Sequence, residues 1–336
     1  MELTERNAVA YLEARGIPVK HVAELGGGIS NTVLLVHTLK QSFVLKQSLA
    51  ELRVKEKWLA DRSRIFREME SMLDAATWLP NGCVPEVLWV DRSNYLFAME
   101  AVNGPSWKNE LLAGRIDPVI AARAGSLLGT LIRSTWEDRA IQMKYGDLTA
   151  FNQLRIDPYY RTIAGRHRDI RDHVLALIDA TKSRKLSLVH GDFSPKNILI
   201  TEGHLTLIDF EVVHFGDPSF DAAFCLSLIL LGWFYQPQLR EERREIARVF
   251  CNELVHCLPR QALPFFEPAL LRHLGCLILA RIDGKSPVEY ITKDSDQTRI
   301  RSIAKDLIMN CPKSFEECLE RVFAQEIPPS CSCPRK

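Results

Sequence analysis

The feature that most limits how this chain can fold is a change of pattern at Asn103-Gly104-Pro105. These residues are strong turn formers, and we predict a hinge at this point. Upstream of it the chain shows short runs rich in β-branched residues, whereas downstream the apolar residues mostly follow a helical spacing. The sequence therefore predicts an α+β protein with a small strand-rich lobe (residues 1–102) and a larger helical lobe (residues 103–325), followed by a flexible tail (residues 326–336).

The first lobe is predicted to contain three strands, a helix and two more strands, after an N-terminal helix from Thr4 to Arg15. Thr4 is the expected N-cap of that helix, and Gly16 its end. The predicted strands are His21–Leu25, Thr32–Thr38, Ser42–Gln47, Glu86–Val90 and Tyr95–Val102, and the helix against them is Arg62–Ala76. The second lobe is predicted to be helical, with short strands at Ser187–Val189, Ile198–Ile200 and Leu205–Ile208.

Composition and charge exclude several classes of protein. The net charge of +1 over 336 residues gives no electrostatic basis for binding nucleic acid or an acidic membrane surface. The longest apolar run, Ala222–Tyr235, is too short to span a bilayer and suits a buried core helix. The nine cysteines lack metal-ligand spacing, and the charged start of the chain is unlike a signal peptide. We therefore expect a cytoplasmic protein with free thiols, whose oligomeric state the sequence does not indicate.

The strongest chemical signal is His190-Gly191-Asp192-Phe193-Ser194-Pro195-Lys196-Asn197, followed by Leu207-Ile208-Asp209-Phe210-Glu211. Phosphoryl transfer to a hydroxyl needs a carboxylate that accepts the hydroxyl proton and hard oxygen ligands that hold Mg²⁺ against the triphosphate. In kinases the base stands five residues before a metal-binding Asn, and a second metal-binding Asp follows later. Any one of these residues alone is explained as a turn cap or a strand end. Together, the three offsets predict Asp192 as the base and Asn197 and Asp209 as Mg²⁺ ligands.

The pattern H-G-D-x-x-x-x-N followed by D-F-E resembles the aminoglycoside phosphotransferase and choline kinase family, small-molecule relatives of the protein kinases. Protein kinases usually carry H-R-D and D-F-G at these places, so Gly191 and Glu211 favour the small-molecule branch. The resemblance extends over roughly residues 20–290. It implies a bilobal protein-kinase-like fold with ATP between the lobes and with the base and Mg²⁺ ligands named above. It also implies that Asp221 braces the catalytic loop from below.

On the nucleotide side, Lys46 ends the apolar strand Phe43-Val44-Leu45-Lys46 and is the candidate for contacting the α- and β-phosphates. A carboxylate on the following helix is needed to orient this lysine. Glu68 lines up with the corresponding helix of the family. Glu70, two residues further on and so on a different face, is the competing candidate.

Two backbone segments are the expected nucleotide contacts. The glycine-rich turn after the first strand lies where the family places its phosphate-covering turn. Gly27, Gly28 and the hydroxyl of Ser30 are therefore predicted to contact phosphate, with a plain hairpin turn as the alternative. The hinge backbone from Glu100 to Val102 is predicted to bind adenine.

The acceptor site is marked by two segments that combine charged residues with aromatic residues or glycine. Arg155–Arg161, predicted as a loop, and the segment with Arg281, Asp283 and Lys285 either line the acceptor pocket or form salt-bridged surface turns. In the first case, Arg281, Asp283 and Lys285 would bind a polyhydroxylated acceptor. Residues 49–61 are similar to the corresponding insert of methylthioribose kinases, and this similarity implies a sugar-like acceptor.

These observations predict an ATP- and Mg²⁺-dependent phosphotransferase acting on a hydroxyl of a sugar-like, amino-alcohol or aminoglycoside-like compound. One alternative is a nucleotide-binding regulatory pseudokinase, but the joint presence of Lys46, Asp192, Asn197 and Asp209 argues against lost catalysis. A protein kinase is disfavoured by H-G-D, by D-F-E and by the lack of an A-P-E-like segment. Neither the acceptor nor a preference for ATP over GTP follows from the sequence.

Overall fold

The computed structural model describes residues 2–26, 31–51, 61–201 and 203–324. Within these ranges an antiparallel sheet of the first lobe has the strand order β1-β2-β3-β5-β4. The strands are β1 (Val19–Glu24), β2 (Asn31–Thr38), β3 (Ser42–Ser48), β4 (Val87–Asp91) and β5 (Leu96–Glu100). The predicted order of strands is confirmed, with ends that differ by a few residues.

Each face of this sheet is covered by a helix, α1 (Glu5–Glu13) or α2 (Arg64–Trp78). Successive side chains of a strand point to opposite faces, so Val44 packs in the core beneath α2, whereas Leu45 packs in a second core with Leu12 of α1. The hydroxyl of Thr4 accepts from the backbone N–H of Asn7, which confirms Thr4 as the N-cap of α1. The lobe thus contains one more sheet-covering helix than the sequence indicated.

The chain leaves β5 at Glu100 and enters the helical lobe through the predicted hinge. A Cβ at Gly104 would lie 2.1 Å from the carbonyl oxygen of Ile200, so the hinge passes too close to this part of the second lobe for any side chain. The helices that follow are α3 (Trp107–Leu112), α4 (Pro118–Ser134), α5 (Arg139–Tyr145), α6 (Thr149–Phe151), α7 (Thr162–Arg166), α8 (Arg171–Ser183), α9 (Ser219–Tyr235), α10 (Arg240–Cys257), α11 (Leu263–Asp283), α12 (Asp294–Met309) and α13 (Phe315–Phe323).

Two short antiparallel ribbons in the helical lobe position the candidate catalytic residues. β6 (Ser187–Val189) pairs with β9 (His214–Gly216), and β7 (Ile198–Ile200) pairs with β8 (Leu205–Leu207). The segment from β6 to β7 carries the H-G-D motif, and the segment from β8 to β9 carries the D-F-E motif. The pairing therefore brings the two motifs together at one end of the ribbons.

Residues Asn152–Arg161 form a π-helix that connects α6 to α7, so the prediction of a loop at Arg155–Arg161 is wrong. Tyr159 and Tyr160 are buried in the core of the lobe, and burial of a segment requires that its backbone groups be hydrogen-bonded. A π-helix meets that requirement and widens the turn around Pro158, which has no N–H to donate.

The apolar helices form the core of the second lobe. α9 is buried along almost its whole length, as predicted for the apolar run Ala222–Tyr235. α11 is long and apolar enough to cross a membrane, but 67% of its apolar window is buried inside the fold, where it packs on α9 and α12. It is therefore a core helix in this structure. The cysteines of the described residues are free thiols, most of them buried.

Candidate active site

The segment between β6 and β7 holds Asp192 and Asn197 in direct contact. Nδ2 of Asn197 donates to Oδ2 of Asp192 (2.7 Å) and to the carbonyl oxygen of the same residue (3.0 Å). Because the amide donates through Nδ2, its Oδ1 is the atom left to act as an acceptor or a ligand. The backbone N–H of Ile208 donates to the carbonyl of Asn197 (3.0 Å), so Asp209 follows directly on a residue bonded to Asn197.

Gly191 explains why this loop reads H-G-D. Its φ of +77° lies in the left-handed region, and a Cβ there would stand 2.6 Å from the carbonyl oxygen of Val212. The backbone therefore excludes every side chain at this position, including the arginine of H-R-D.

Asp221, at the start of α9, braces the predicted catalytic loop, as the resemblance implied. Its Oδ2 accepts from the backbone N–H of His190 (2.6 Å) and its Oδ1 from that of Gly191 (2.9 Å). Burial raises the pKa of Asp221 to about 7, although these two hydrogen bonds act in the opposite direction. Asp217, two residues before α9 begins, accepts from the backbone N–H of Ser219 (3.1 Å).

Lys46 on β3 connects the two lobes. Its Nζ donates to Oε1 of Glu68 on α2 (2.6 Å) and to Oδ1 of Asp209 (2.6 Å). Glu70 instead lies half-exposed on α2, 3.4 Å from Arg92. Of the two carboxylates weighed from the sequence, Glu68 is therefore the one that pairs with Lys46.

The electrostatics of this group keep the lysine and Asp209 charged. Burial alone would lower the pKa of Lys46, but the carboxylates of Asp209 and Glu68 outweigh it and hold that pKa above its usual value. Burial would raise the pKa of Asp209, but Lys46 and Lys196 lower it to about 2. Asp209 also has a φ of 70°, a strained conformation for a non-glycine residue and one that clusters at functional sites.

Glu211, the third residue of D-F-E, forms a second connection between the lobes that the sequence analysis did not assign. Its Oε2 accepts from Nδ2 of Asn31 on β2 (2.9 Å) and lies 3.8 Å from Nε of Arg64 on α2. The motif singled out Glu211 itself. Its partners are 180 and 147 positions away along the chain, and no local pattern indicates them.

Arg155 is the second residue whose role the sequence analysis missed. Its Nη2 lies 2.9 Å from Oδ1 of Asp192, and its Nε donates to the carbonyl of Gly191 (2.6 Å). The only signal in the sequence was its place in the arginine- and tyrosine-rich segment 155–161, which suggested an acceptor pocket and not a contact with the base.

The three acceptor candidates have different surroundings. The guanidinium carbon of Arg281 lies 5.1 Å from the ring centre of Tyr159 and 5.0 Å from that of Phe224, the same rings that Arg155 contacts at 6.0 and 5.5 Å. Asp283 binds Arg301 (2.8 Å) and His167 (2.9 Å), and the side chain of Lys285 is exposed.

Only some of the residues predicted to contact the nucleotide lie in the described part of the chain. The N–H of Glu100 donates to the carbonyl of Glu86 (2.8 Å), so that group already has a partner within the first lobe. Val102 lies half-buried in the hinge. Gly27, Gly28 and Ser30 lie outside the described residues.

The side chains at the junction of the lobes fit a Mg²⁺ ion that is shared with a nucleotide. Among the described residues, no group of three or more His, Cys, Asp or Glu side chains could hold a metal ion. Mg²⁺ is commonly bound by one or two carboxylates together with phosphate oxygens and water, and not by an all-protein cage. Asp209, with its low pKa, and the amide oxygen of Asn197 provide hard oxygen ligands of the required kind.

Comparisons with known proteins agree with this fold. The choline/ethanolamine kinase family protein from Mesorhizobium loti covers 96% of this chain and 98% of its own, at 19% identity and a TM-score of 0.52. A spectinomycin phosphotransferase solved with ADP and spectinomycin covers 96% of this chain and 99% of its own, at 11% identity and a TM-score of 0.54. At these identities the structures establish the predicted bilobal, kinase-like fold.

The sequence relatives identify the family. The profile described as the Phosphotransferase enzyme family (APH) matches residues 21–259, and the chain belongs to this family. Among curated proteins it is similar to a methylthioribose kinase of Escherichia coli O45:K1 strain S88 (25% identity over 69% of this chain and 63% of the relative). It is also similar to methylthioribose kinase 2 of Oryza sativa subsp. japonica (23% identity over 70% of this chain and 64% of the relative). The chain thus spans less than two thirds of the length of these relatives.

Proposed function

We propose that this protein is an ATP- and Mg²⁺-dependent kinase that transfers the γ-phosphate to a hydroxyl of a small molecule. The observation that carries the proposal is the meeting, at the lobe junction, of the Lys46–Glu68 and Lys46–Asp209 ion pairs with the hydrogen-bonded pair Asp192–Asn197. The proposed boundary between the nucleotide lobe and the acceptor lobe is residue 102.

The chemistry assigned to the chain is positioning and proton acceptance. Asp192 accepts the proton of the attacking hydroxyl, and Asn197 orients its carboxylate. Lys46, oriented by Glu68, would bind phosphate oxygens of ATP. Bound Mg²⁺ neutralises charge on the phosphates, and Asn197 and Asp209 are the residues that would hold it.

ATP is the proposed donor, and it would lie between the lobes. Related folds have been solved with ADP and, in an amicoumacin kinase, with AMP-PNP and Ca²⁺. In this chain the hinge backbone from Glu100 to Val102 would bind adenine, and the turn with Gly27, Gly28 and Ser30 would cover the phosphates.

The proposed acceptor end lies beyond Asp192, where Arg281 packs on Tyr159 and Phe224. Arg281 and Lys285 would donate hydrogen bonds to acceptor hydroxyls, and Asp283 would fix this turn through Arg301 and His167. The names of the curated relatives make methylthioribose the first acceptor to test.

The proposed location of the protein is the cytoplasm. Its proposed partner is a small-molecule substrate, and we expect it to bind neither nucleic acid nor a membrane. The competing function is a regulatory pseudokinase that binds ATP without using it. The contact between Asp192 and Asn197 favours catalysis, because a nucleotide-binding module has no need of an oriented base off the nucleotide.

The first experiment is a thermal shift with ATP and Mg²⁺, followed by a phosphorylation screen. The panel contains methylthioribose, simple sugars, choline, ethanolamine and aminoglycosides, with Asp192→Ala as the inactive reference. Asp157→Ala is the matched control, because Asp157 forms an exposed ion pair with Arg161. The kinase proposal is supported if an acceptor is phosphorylated by the wild type and by Asp157→Ala but not by Asp192→Ala. The pseudokinase is supported if the protein binds ATP and phosphorylates no acceptor.

The acceptor end has its own test. Removal of one charge-assisted hydrogen bond by Arg281→Met should weaken the acceptor about ten- to a hundredfold in KM. Asp283→Ala should have a smaller effect, since Asp283 acts through the turn. The KM for ATP should stay unchanged in both variants. An unchanged acceptor KM and kcat in both would show that the segment is a surface turn.

A further inference from the structure

All three nitrogens of the Arg155 guanidinium have partners, and two of them contact the catalytic loop. Nη2 lies 2.9 Å from Oδ1 of Asp192, Nε donates to the carbonyl of Gly191 (2.6 Å), and Nη1 donates to the carbonyl of Leu154 (2.7 Å). Asn197 bonds the other oxygen of the same carboxylate. The carboxylate of Asp192 is thus held from both sides, and the backbone just before it is held as well.

The π-helix gives Arg155 this geometry. In an α-helix the carbonyl of Leu154 would accept from the N–H of residue 158, but Pro158 has none. Arg155 donates to that carbonyl through Nη1, while its Nε donates to the carbonyl of Gly191. On the other side, the N–H of Lys285 donates to the carbonyl of Pro158 (3.0 Å) and ties the segment to the end of α11. π-helical turns are rare and occur frequently at functional sites.

The surroundings of Arg155 suit a fixed charge. Its side chain is 10% exposed, and its guanidinium carbon lies over the rings of Tyr159 (6.0 Å) and Phe224 (5.5 Å). A buried ion pair is weak evidence for stability, because the desolvation of both charges opposes their attraction. A buried arginine with two of its three nitrogens directed at one loop is better explained by what it does to that loop.

We propose that Arg155 is a positioning residue for the base: it holds the carboxylate of Asp192 in one orientation through its fork of N–H groups. The inference rests on the proposed role of Asp192. A base must lie within hydrogen-bond reach of the hydroxyl proton, and a misplacement of about 1 Å is enough to cost a hundredfold in rate. The planar, bidentate geometry of arginine fixes a loop carbonyl and a carboxylate together, whereas lysine would supply only the charge.

The test compares Arg155→Met, which removes the guanidinium, with Arg155→Lys, which keeps the charge without the fork. Arg161→Met is the matched control, because Arg161 lies in the same π-helix but pairs with Asp157 at the surface. For each variant, kcat, both KM values and the thermal unfolding midpoint are measured with the acceptor that the wild type phosphorylates fastest. Arg155→Ala is also assayed with added methylguanidinium.

We expect Arg155→Met to lower kcat about 10- to 100-fold, the loss of one charge-assisted hydrogen bond, with the KM for ATP unchanged. Arg155→Lys should be intermediate, Arg161→Met should equal the wild type, and methylguanidinium should restore part of the activity of Arg155→Ala. An unchanged or higher kcat in Arg155→Met overturns the proposal, and a higher value would mean that Arg155 restrains the base. If Arg155→Met does not fold, the kcat of Arg155→Lys decides: a lower kcat than the wild type supports the proposal, and an unchanged kcat overturns it.

Failure of the proposed function would be recognised separately. If the wild type has no turnover, or if Asp192→Ala keeps the turnover of the wild type, the assignment of Asp192 as the base fails. Amide hydrogen exchange in peptides that contain Gly191 then decides whether Arg155 holds the loop. Faster exchange in Arg155→Met than in Arg161→Met supports that part of the inference, and equal exchange overturns it.

Discussion

Replacement of Gly191 by alanine introduces a methyl group where the catalytic loop has no space for one. With φ at +77°, the left-handed conformation costs an alanine about 1–2 kcal/mol. Its Cβ would also stand 2.6 Å from the carbonyl oxygen of Val212 and 2.8 Å from Cγ1 of the same residue. Overpacking of this kind costs about 1–3 kcal/mol. The free energy of unfolding should therefore fall by about 2–5 kcal/mol.

Gly16 provides the control that separates the two contributions. Its φ is +75°, but nothing lies within 4 Å of a Cβ built there, so Gly16→Ala pays the conformational cost alone. Urea denaturation of both variants gives the difference in unfolding free energy without any need for an acceptor. We expect Gly191→Ala to be the less stable by about 1–3 kcal/mol and to lose most of the proposed kinase activity. Equal stability of the two variants would refute the steric reasoning.

Three further predictions concern the base, the metal and the N-terminal helix. Asp192→Ala should lower turnover about a hundredfold or more with ATP binding nearly intact, and half-retained turnover would remove Asp192 as the base. Asp209→Asn should raise the Mg²⁺ concentration needed for half-maximal activity, and an unchanged requirement would remove Asp209 from the metal site. Asp91 on β4 accepts a hydrogen bond from Tyr11 of α1. Burial raises the pKa of Asp91, but the hydrogen bonds from Tyr11 and Asn94 lower it to about 2, below its unfolded value of about 3.8. Its stabilising contribution is therefore present above about pH 4 and lost as the pH falls toward 2, so the stability gap between wild type and Asp91→Asn should narrow from pH 7 to pH 3 in urea titrations.

The parts of the fold that were predicted correctly depend on local chemistry. Apolar spacing, turn residues and the capping residue Thr4 act over a few positions, so the order of strands and helices can be predicted along the chain. The spacing of Asp192, Asn197 and Asp209 is likewise local, because the loop and the ribbon that carry them are short. Helical periodicity places Glu68 and Glu70 on different faces, and the resemblance to the family selected Glu68, which pairs with Lys46.

The remaining features depend on contacts between residues far apart in sequence. Arg155 lies 36 positions from Gly191, and its segment was mistaken for a loop because only burial of the neighbouring tyrosines makes the π-helix necessary. For Asp283 the sequence left open an acceptor contact or a salt-bridged turn, and only the folded chain brings Arg301 and His167 to it. The sequence by itself determined which residues form the candidate catalytic set, since their spacing is local. The tertiary structure decided which charged groups surround that set, because such partners meet only when the helices of the second lobe pack around a common core.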